Sequence, residues 1–272
     1  MLERLAFLTY GLACYLVFLA TFLYAVAFVG GIGVARALDG RASGPLLVAV
    51  GIDTALLGLF AVQHSVMARR WFKERWTRIV PEAIERSTFV LCASLALALL
   101  MWQWRPLGGS VWRVNDPAGR ATLWTLFGLG WTTVLVCTLL IDHLELFGVR
   151  QVWNRFVGRP HVAPRFVTPG PYRLVRHPLY LGFLLAFWAT PQMTLSHLLF
   201  ASATTAYILL AIQFEERDLV RVHGRLYEEY RQRVSMLVPL PPRPRVAADH
   251  GGRAATPRAA IDARSSGPCG VR

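Results

Sequence analysis

Two stretches of this chain set chemically able side chains directly against apolar sequence. In GPYRLVRHPLYLG, residues 170–182, Arg173, Arg176 and His177 crowd the start of an apolar run, Tyr180 lies one helical turn further in, and Gly182 permits close approach of a ligand or a helix. In EERDL, residues 215–219, Glu215 and Glu216 close the next apolar run. If the residues between form a helical hairpin, a separation of about 38 positions becomes contact. Pro178 suits the first turn of its helix, where a missing N–H costs nothing.

Such a site offers carboxylates to a cation, donors to an anion, and aromatic faces to a ring or sulfonium, all beside lipid. S-adenosylmethionine carries each of those groups. Other polar side chains lie in or at the edges of apolar runs, where a lone charge costs on the order of 3 kcal/mol. IDHLELFGVRQVW, residues 141–153, puts Asp142 and Glu145 at i and i+3 with His143 beside them. Gln63 and His64 follow Asp53 by two to three helical turns, and Asp53 reads equally well as glue between helices. His197 reads as a helix-end residue rather than a ligand.

The elements that must position these groups follow from composition. The chain has 272 residues, 54% of them hydrophobic, and its mean hydropathy is +0.41, too apolar for an ordinary soluble domain. Its net charge of +13 would suit nucleic acid. However, apolar stretches of the roughly 20 residues that a bilayer span needs recur along it, so the charge belongs to flanking loops. We read spans at about 5–29, 45–67, 87–104, 121–141, 179–190 and 193–214, the last two a tight hairpin. The fold class is thus an all-α integral membrane protein of about six helices. The first span lacks a small-residue cleavage motif and is expected to be retained.

Basic residues number six in 68–86, six in 142–178 and eleven after 214, against five in the alternate loops. The positive-inside rule then places both termini and the cofactor-binding end in the cytoplasm, in a bacterial inner membrane. The expected divisions are 1–44, first helix and loop; 45–141, helices two to four; 142–240, the cofactor-binding region; and 241–272, a disordered tail. Cys14, Cys92, Cys137 and Cys269 form no Cys-x-x-Cys pair, and no metal site is expected.

The ordered set Arg-His-Pro-x-Tyr-x-Gly, hairpin, Glu-Glu, then HGRLYEEYRQRV at 223–234 resembles the integral-membrane methyltransferases that include isoprenylcysteine carboxyl methyltransferase and the phospholipid methyltransferases. The segment at 60–91, WQWRPL at 102–107 and LAFWATPQMTLSHLLFA at 185–201 look like the bacterial methanethiol S-methyltransferase group. Ser235 departs from the pattern, since similar proteins usually have proline there. The resemblance implies S-adenosylmethionine enclosed by the last two spans and the segment after them, with Arg176, His177, Tyr180, Gly182, Glu215 and Glu216 as contacts.

It further implies a small volatile thiol as acceptor and the bilayer as surroundings, with no nucleic-acid partner. His64 and His143 are the candidates for a general base, Asp142 or Glu145 for orienting it, and Arg173 for a thiolate-stabilising cation. Methylation of another thiol or of a lipid is the enzymatic rival. A haem protein using His64, His143, His177 and His197, and a noncatalytic S-adenosylmethionine sensor, are the rivals of other classes.

Overall fold

The computed structural model describes residues 1–160 and 166–239, so the expected tail at 241–272, with Cys269, lies outside the described residues. Five helices are long and apolar enough to cross a membrane: α1 (Leu2–Gly30), α2 (Leu46–Ala68), α4 (Glu82–Gln103), α5 (Pro117–Ile141) and α9 (Leu195–His223). Short helices α3 (Arg70–Trp76), α6 (His143–Leu146), α7 (Val149–Val157) and α10 (Arg225–Arg233) join or follow them. The sixth expected span is α8, Pro178–Trp188, which has only eleven residues.

Eleven residues rise about 16 Å, half a bilayer, whereas α9 climbs about 32 Å between Leu195 and Glu216. The chain makes up the difference with extended residues after Ala189, so the hairpin connection is longer than Pro191 alone implied. Backbone groups in such a segment need partners that lipid does not supply. A two-residue ladder provides them: β1 (Trp112–Arg113) pairs antiparallel with β2 (Gln192–Met193). Val111 N–H donates to Met193 O at 2.7 Å and Val114 N–H to Pro191 O at 2.8 Å. Among the described residues this ladder and an isolated bridge between Val175 and Ser235 are the β-type pairings in an otherwise helical bundle.

The core joins Ala25 and Phe28 of α1, Leu100 and Trp104 at the end of α4, Phe127 and Trp131 of α5, Ala186 and Phe187 of α8, and Phe200 and Ala201 of α9. Association of helices in lipid depends on close packing, which small residues permit. The α5–α8 contact shows this directly. A Cβ on Gly130 would lie 2.6 Å from Ala186 N and 2.7 Å from Gly182 O, and one on Gly182 would lie 2.8 Å from Gly130 O.

The bundle has two polar ends. At one, Asp53 is fully buried and accepts the Arg105 N–H at 2.9 Å, which is the gluing role its position allowed. His197, 1% exposed, meets Asp39 through Nδ1 at 3.0 Å and donates from Nε2 to Phe187 O at 2.9 Å. Thr194 donates to the other oxygen of Asp39. His197 is therefore more than a helix-end residue, because it latches the loop after α1 onto the hairpin. Asp39→Ala is expected to cost about 2 kcal/mol, the scale of a lost charged hydrogen bond. The check is a lower thermal midpoint in detergent with activity per folded molecule preserved, since Thr194 and Glu216 lie about 33 Å apart along α9.

Candidate active site

At the other end of α9 the two motifs meet. His177 precedes α8 and is 4% exposed, and Glu216, 7% exposed, is in the penultimate turns of α9. One carboxylate oxygen, Glu216 Oε1, accepts from Arg176 Nε at 2.7 Å and lies 3.0 Å from His177 Nε2. Arg176 also donates from Nη1 to Val234 O at 2.6 Å and Arg231 O at 3.1 Å, joining α10 and its following strap to the same carboxylate. Arg231 brings a second guanidinium within 4.0 Å of Glu216 Oε2.

The strap is fixed through backbone atoms. Arg176 N–H donates to Ser235 O at 2.8 Å and His177 N–H to Met236 O at 3.1 Å. A serine at 235 therefore leaves the clasp closed, because the carbonyl makes the contact. Behind it, Tyr230 donates to Tyr172 O at 2.5 Å, and the Phe166 ring lies among His223, Tyr227 and Tyr230, with centroids 5.0, 5.9 and 5.6 Å away. Burial raises the Tyr230 phenol to about 12, so it donates at any ordinary pH.

Glu215 is half-exposed, with Oε2 3.9 Å from His177 Nδ1 and no hydrogen-bond partner. Tyr180 reaches Glu215 from the first turn of α8. Below them Tyr207 of α9 meets Ser65 of α2 at 3.1 Å, and Arg69 pairs with Asp218 at 2.9 Å while lying over Phe214. These contacts bring α2 against the same end of α9.

The remaining expected residues separate. Gly182 faces α5 across the contact with Gly130, so its missing side chain serves a helix contact. Arg173 ends a 3₁₀ turn over Gly170–Arg173 and is exposed, away from the ion pairs of Glu216. His143 has both nitrogens engaged, Nε2 with Tyr15 at 2.9 Å and Nδ1 with Thr138 at 3.0 Å. Burial holds its imidazole below the usual histidine value, against a weaker pull from Asp142.

Asp142 does not orient His143. It pairs with Arg150 at 2.7 Å and caps Glu145 N–H at 3.1 Å, from a backbone with φ 137°. The positive φ, rare outside glycine, is what turns the chain from α5 into α6 with a side chain aimed at the next N–H.

His64 differs from His143. It stacks on Phe60 at 5.5 Å, tilts against Phe89 at 5.1 Å, and buries Nδ1 without a hydrogen-bond partner among the described residues. Around it are Met67, Phe89 and Val90, with Phe72 and Trp76 beside them. The surround is aromatic but not purely apolar, because the Arg86 guanidinium lies over the same Phe89 ring at 5.1 Å. No three His, Cys, Asp or Glu side chains among the described residues are placed to hold a metal ion. Among the described residues, His143, His177 and His197 each spend ring nitrogens on the partners named.

Tyr172, Tyr207, Tyr227 and Phe166 were missed as site residues. The i, i+3 spacing of Tyr227 and Tyr230, which puts both on one face of α10, was the available signal.

The phospholipid methyltransferase family model matches residues 126–225. A methanethiol S-methyltransferase of Mycobacterium tuberculosis is 54% identical over 242 residues, 89% of this chain and 99% of the relative. One of Crocosphaera subtropica is 52% identical over 238 residues, 88% of this chain and 93% of the relative. Nurim of Xenopus laevis is 32% identical over 191 residues, 66% of each. No solved structure matches.

Proposed function

We propose that this chain, which belongs to the methanethiol S-methyltransferase family, moves a methyl group from S-adenosylmethionine to the sulfur of methanethiol, yielding dimethyl sulfide and S-adenosylhomocysteine. The observation that carries this reading is the buried Glu216 carboxylate, held by Arg176 and His177 where α8, α9 and the strap after α10 converge. The same reading puts this basic end in the cytoplasm and the helices in a bacterial inner membrane, following the excess of arginine at that end.

The residues present fit the methyl donor. Glu215 Oε2 is a buried carboxylate oxygen without a hydrogen-bond partner among the described residues, an acceptor of the kind an ammonium or hydroxyl requires. When bound, S-adenosylmethionine supplies a methyl carbon made electrophilic by its sulfonium. The chain's own task is alignment and exclusion of water, which together can remove several kcal/mol of barrier. Arg176, His177 and Glu216 fix the start of α8 to the end of α9, and Tyr180 and Glu215 hang from those fixed ends. In this reading His64 takes the thiol proton at Nδ1. The thiol sulfur, its S–H pair retained as the proton passes to His64, would then be held in line with the methyl carbon that the donor would supply, the donor's sulfur keeping the electron pair of the bond it loses.

His64→Ala is expected to lower kcat by about a hundredfold, the low end for a lost general base, with S-adenosylhomocysteine binding unchanged. His143→Ala should leave kcat per folded molecule near wild type and reduce only the thermal midpoint. Headspace chromatography of membranes supplied with methanethiol and S-adenosylmethionine is the direct test. Wild-type rates should fall as the acceptor thiol lengthens. Equal rates on a prenylated cysteine or a phospholipid would transfer the function to those substrates.

A further inference from the structure

In YEEY, residues 227–230, two tyrosines lie on one face of α10 and meet different fates. Both are buried, at 1% and 7% exposure. Tyr230 has a partner in Tyr172 O, whereas the Tyr227 hydroxyl has none among the described residues. The Tyr227 ring is well packed, edge-on to Phe166 at 5.9 Å and against Tyr230 at 5.8 Å, so packing alone would be served as well by phenylalanine.

A buried hydroxyl without a partner lowers the stability of the free protein, and such a group calls for a reason. Its surroundings supply one. Burial and then the charge of Glu216 hold the phenol well above its ordinary value, so it is a fixed proton donor; Arg176 and Glu215 are its other charged neighbours. Glu216 is already occupied by Arg176 and His177, whereas Glu215 Oε2, with Tyr180 nearby and His177 Nδ1 at 3.9 Å, makes no hydrogen bond among the described residues, which leaves a hydroxyl and a carboxylate oxygen without hydrogen-bond partners at the same end of α9. A zwitterion matches that pair, its carboxylate to the hydroxyl and its ammonium to Glu215.

We propose that Tyr227 is a cofactor-binding residue whose hydroxyl donates to the α-carboxylate at the amino-acid end of S-adenosylmethionine, with Glu215 receiving the ammonium. The proposal rests on the methyl-donor reading given above and adds to it which end of the donor α10 grips. Since free protein and complex respond to the hydroxyl in opposite directions, its removal has a signature that a structural role lacks.

The experiment is calorimetric titration of full-length wild type and Tyr227→Phe in detergent, with S-adenosylhomocysteine and with 5′-methylthioadenosine, which lacks the amino-acid end. Tyr227→Phe should bind S-adenosylhomocysteine about tenfold more weakly, the scale of one hydrogen bond to a charged group. It should bind methylthioadenosine as wild type does, and its unliganded thermal midpoint should be equal or higher. Unchanged S-adenosylhomocysteine affinity would overturn the proposal. Equal losses for both ligands would also overturn it, by moving the hydroxyl to the nucleoside or, with a lowered midpoint, to a structural role. Failure of the wild type to bind either ligand would instead remove the methyl-donor reading itself.

Discussion

Membranes carrying Glu216→Gln are expected to form dimethyl sulfide at less than about one hundredth of the wild-type rate, because removing one partner of a buried ion pair costs about 3–5 kcal/mol. The substitution keeps shape but cancels the charge that one oxygen presents to both Arg176, at 2.7 Å, and His177, at 3.0 Å. With its oxygen in the place of Oε1 the amide keeps both contacts without the charge, and with its nitrogen there it points a donor toward Arg176 and His177. The Arg176 side chain is only 11% exposed and in the second orientation retains just the carbonyls of Arg231 and Val234. The clasp between α8, α9 and the strap then loosens as a unit. S-adenosylhomocysteine titration should show the loss as weakened binding, accompanied by a lower thermal midpoint. Glu215→Gln, at a side chain 44% exposed, should cost clearly less. Retention of more than a tenth of the wild-type rate by Glu216→Gln would mean that this carboxylate does not organise the site.

A single added methyl group at Gly130 should be nearly as damaging. The Gly130→Ala Cβ would fall 2.6 Å from Ala186 N and 3.0 Å from Ala186 Cα, which are backbone atoms that no rotamer change can move. The helices must separate, at a cost on the order of 3 kcal/mol. The penalty reaches the chemistry because His177 immediately precedes α8, so shifting α8 off α5 pulls His177 away from Glu216. The expected result is a strongly reduced thermal midpoint and, in the fraction that remains folded, weaker S-adenosylhomocysteine binding. Gly130→Val should leave little folded protein in the membrane. Gly128→Ala is the control two residues away: its Cβ has open space, so it should be neutral or slightly stabilising. Matching behaviour of Gly128→Ala and Gly130→Ala would refute the close-approach account.

Much of this could be read before any fold was known. The spans were legible because the preference of an apolar helix for lipid is a sum over about twenty residues, and five such helices are present. The meeting of Arg176 and His177 with Glu216 was legible because a hairpin forces its two ends together. The shortness of α8 was legible, 179–190 against the observed Pro178–Trp188, but the extended residues after it that close onto β1 were not. Gly182 was read as allowing close approach of a ligand or a helix, because a glycine reports only that something comes close, and the tertiary structure brings α5 there.

The sequence by itself determined a membrane-embedded helical chain, the hairpin, and the gathering of basic and acidic motifs at one end, all of which follow from local hydropathy and chain connectivity. The tertiary structure decided the rest: that His143 is saturated by Tyr15 and Thr138 while His64 keeps an open nitrogen, that Asp142 serves Arg150, and that Tyr227 lacks the partner Tyr230 has. The physical reason is that a side chain's partners depend on how each helix is rotated against its neighbours. That rotation is set by ring packing and glycine contacts between residues far apart in the chain, which no spacing along one helix encodes.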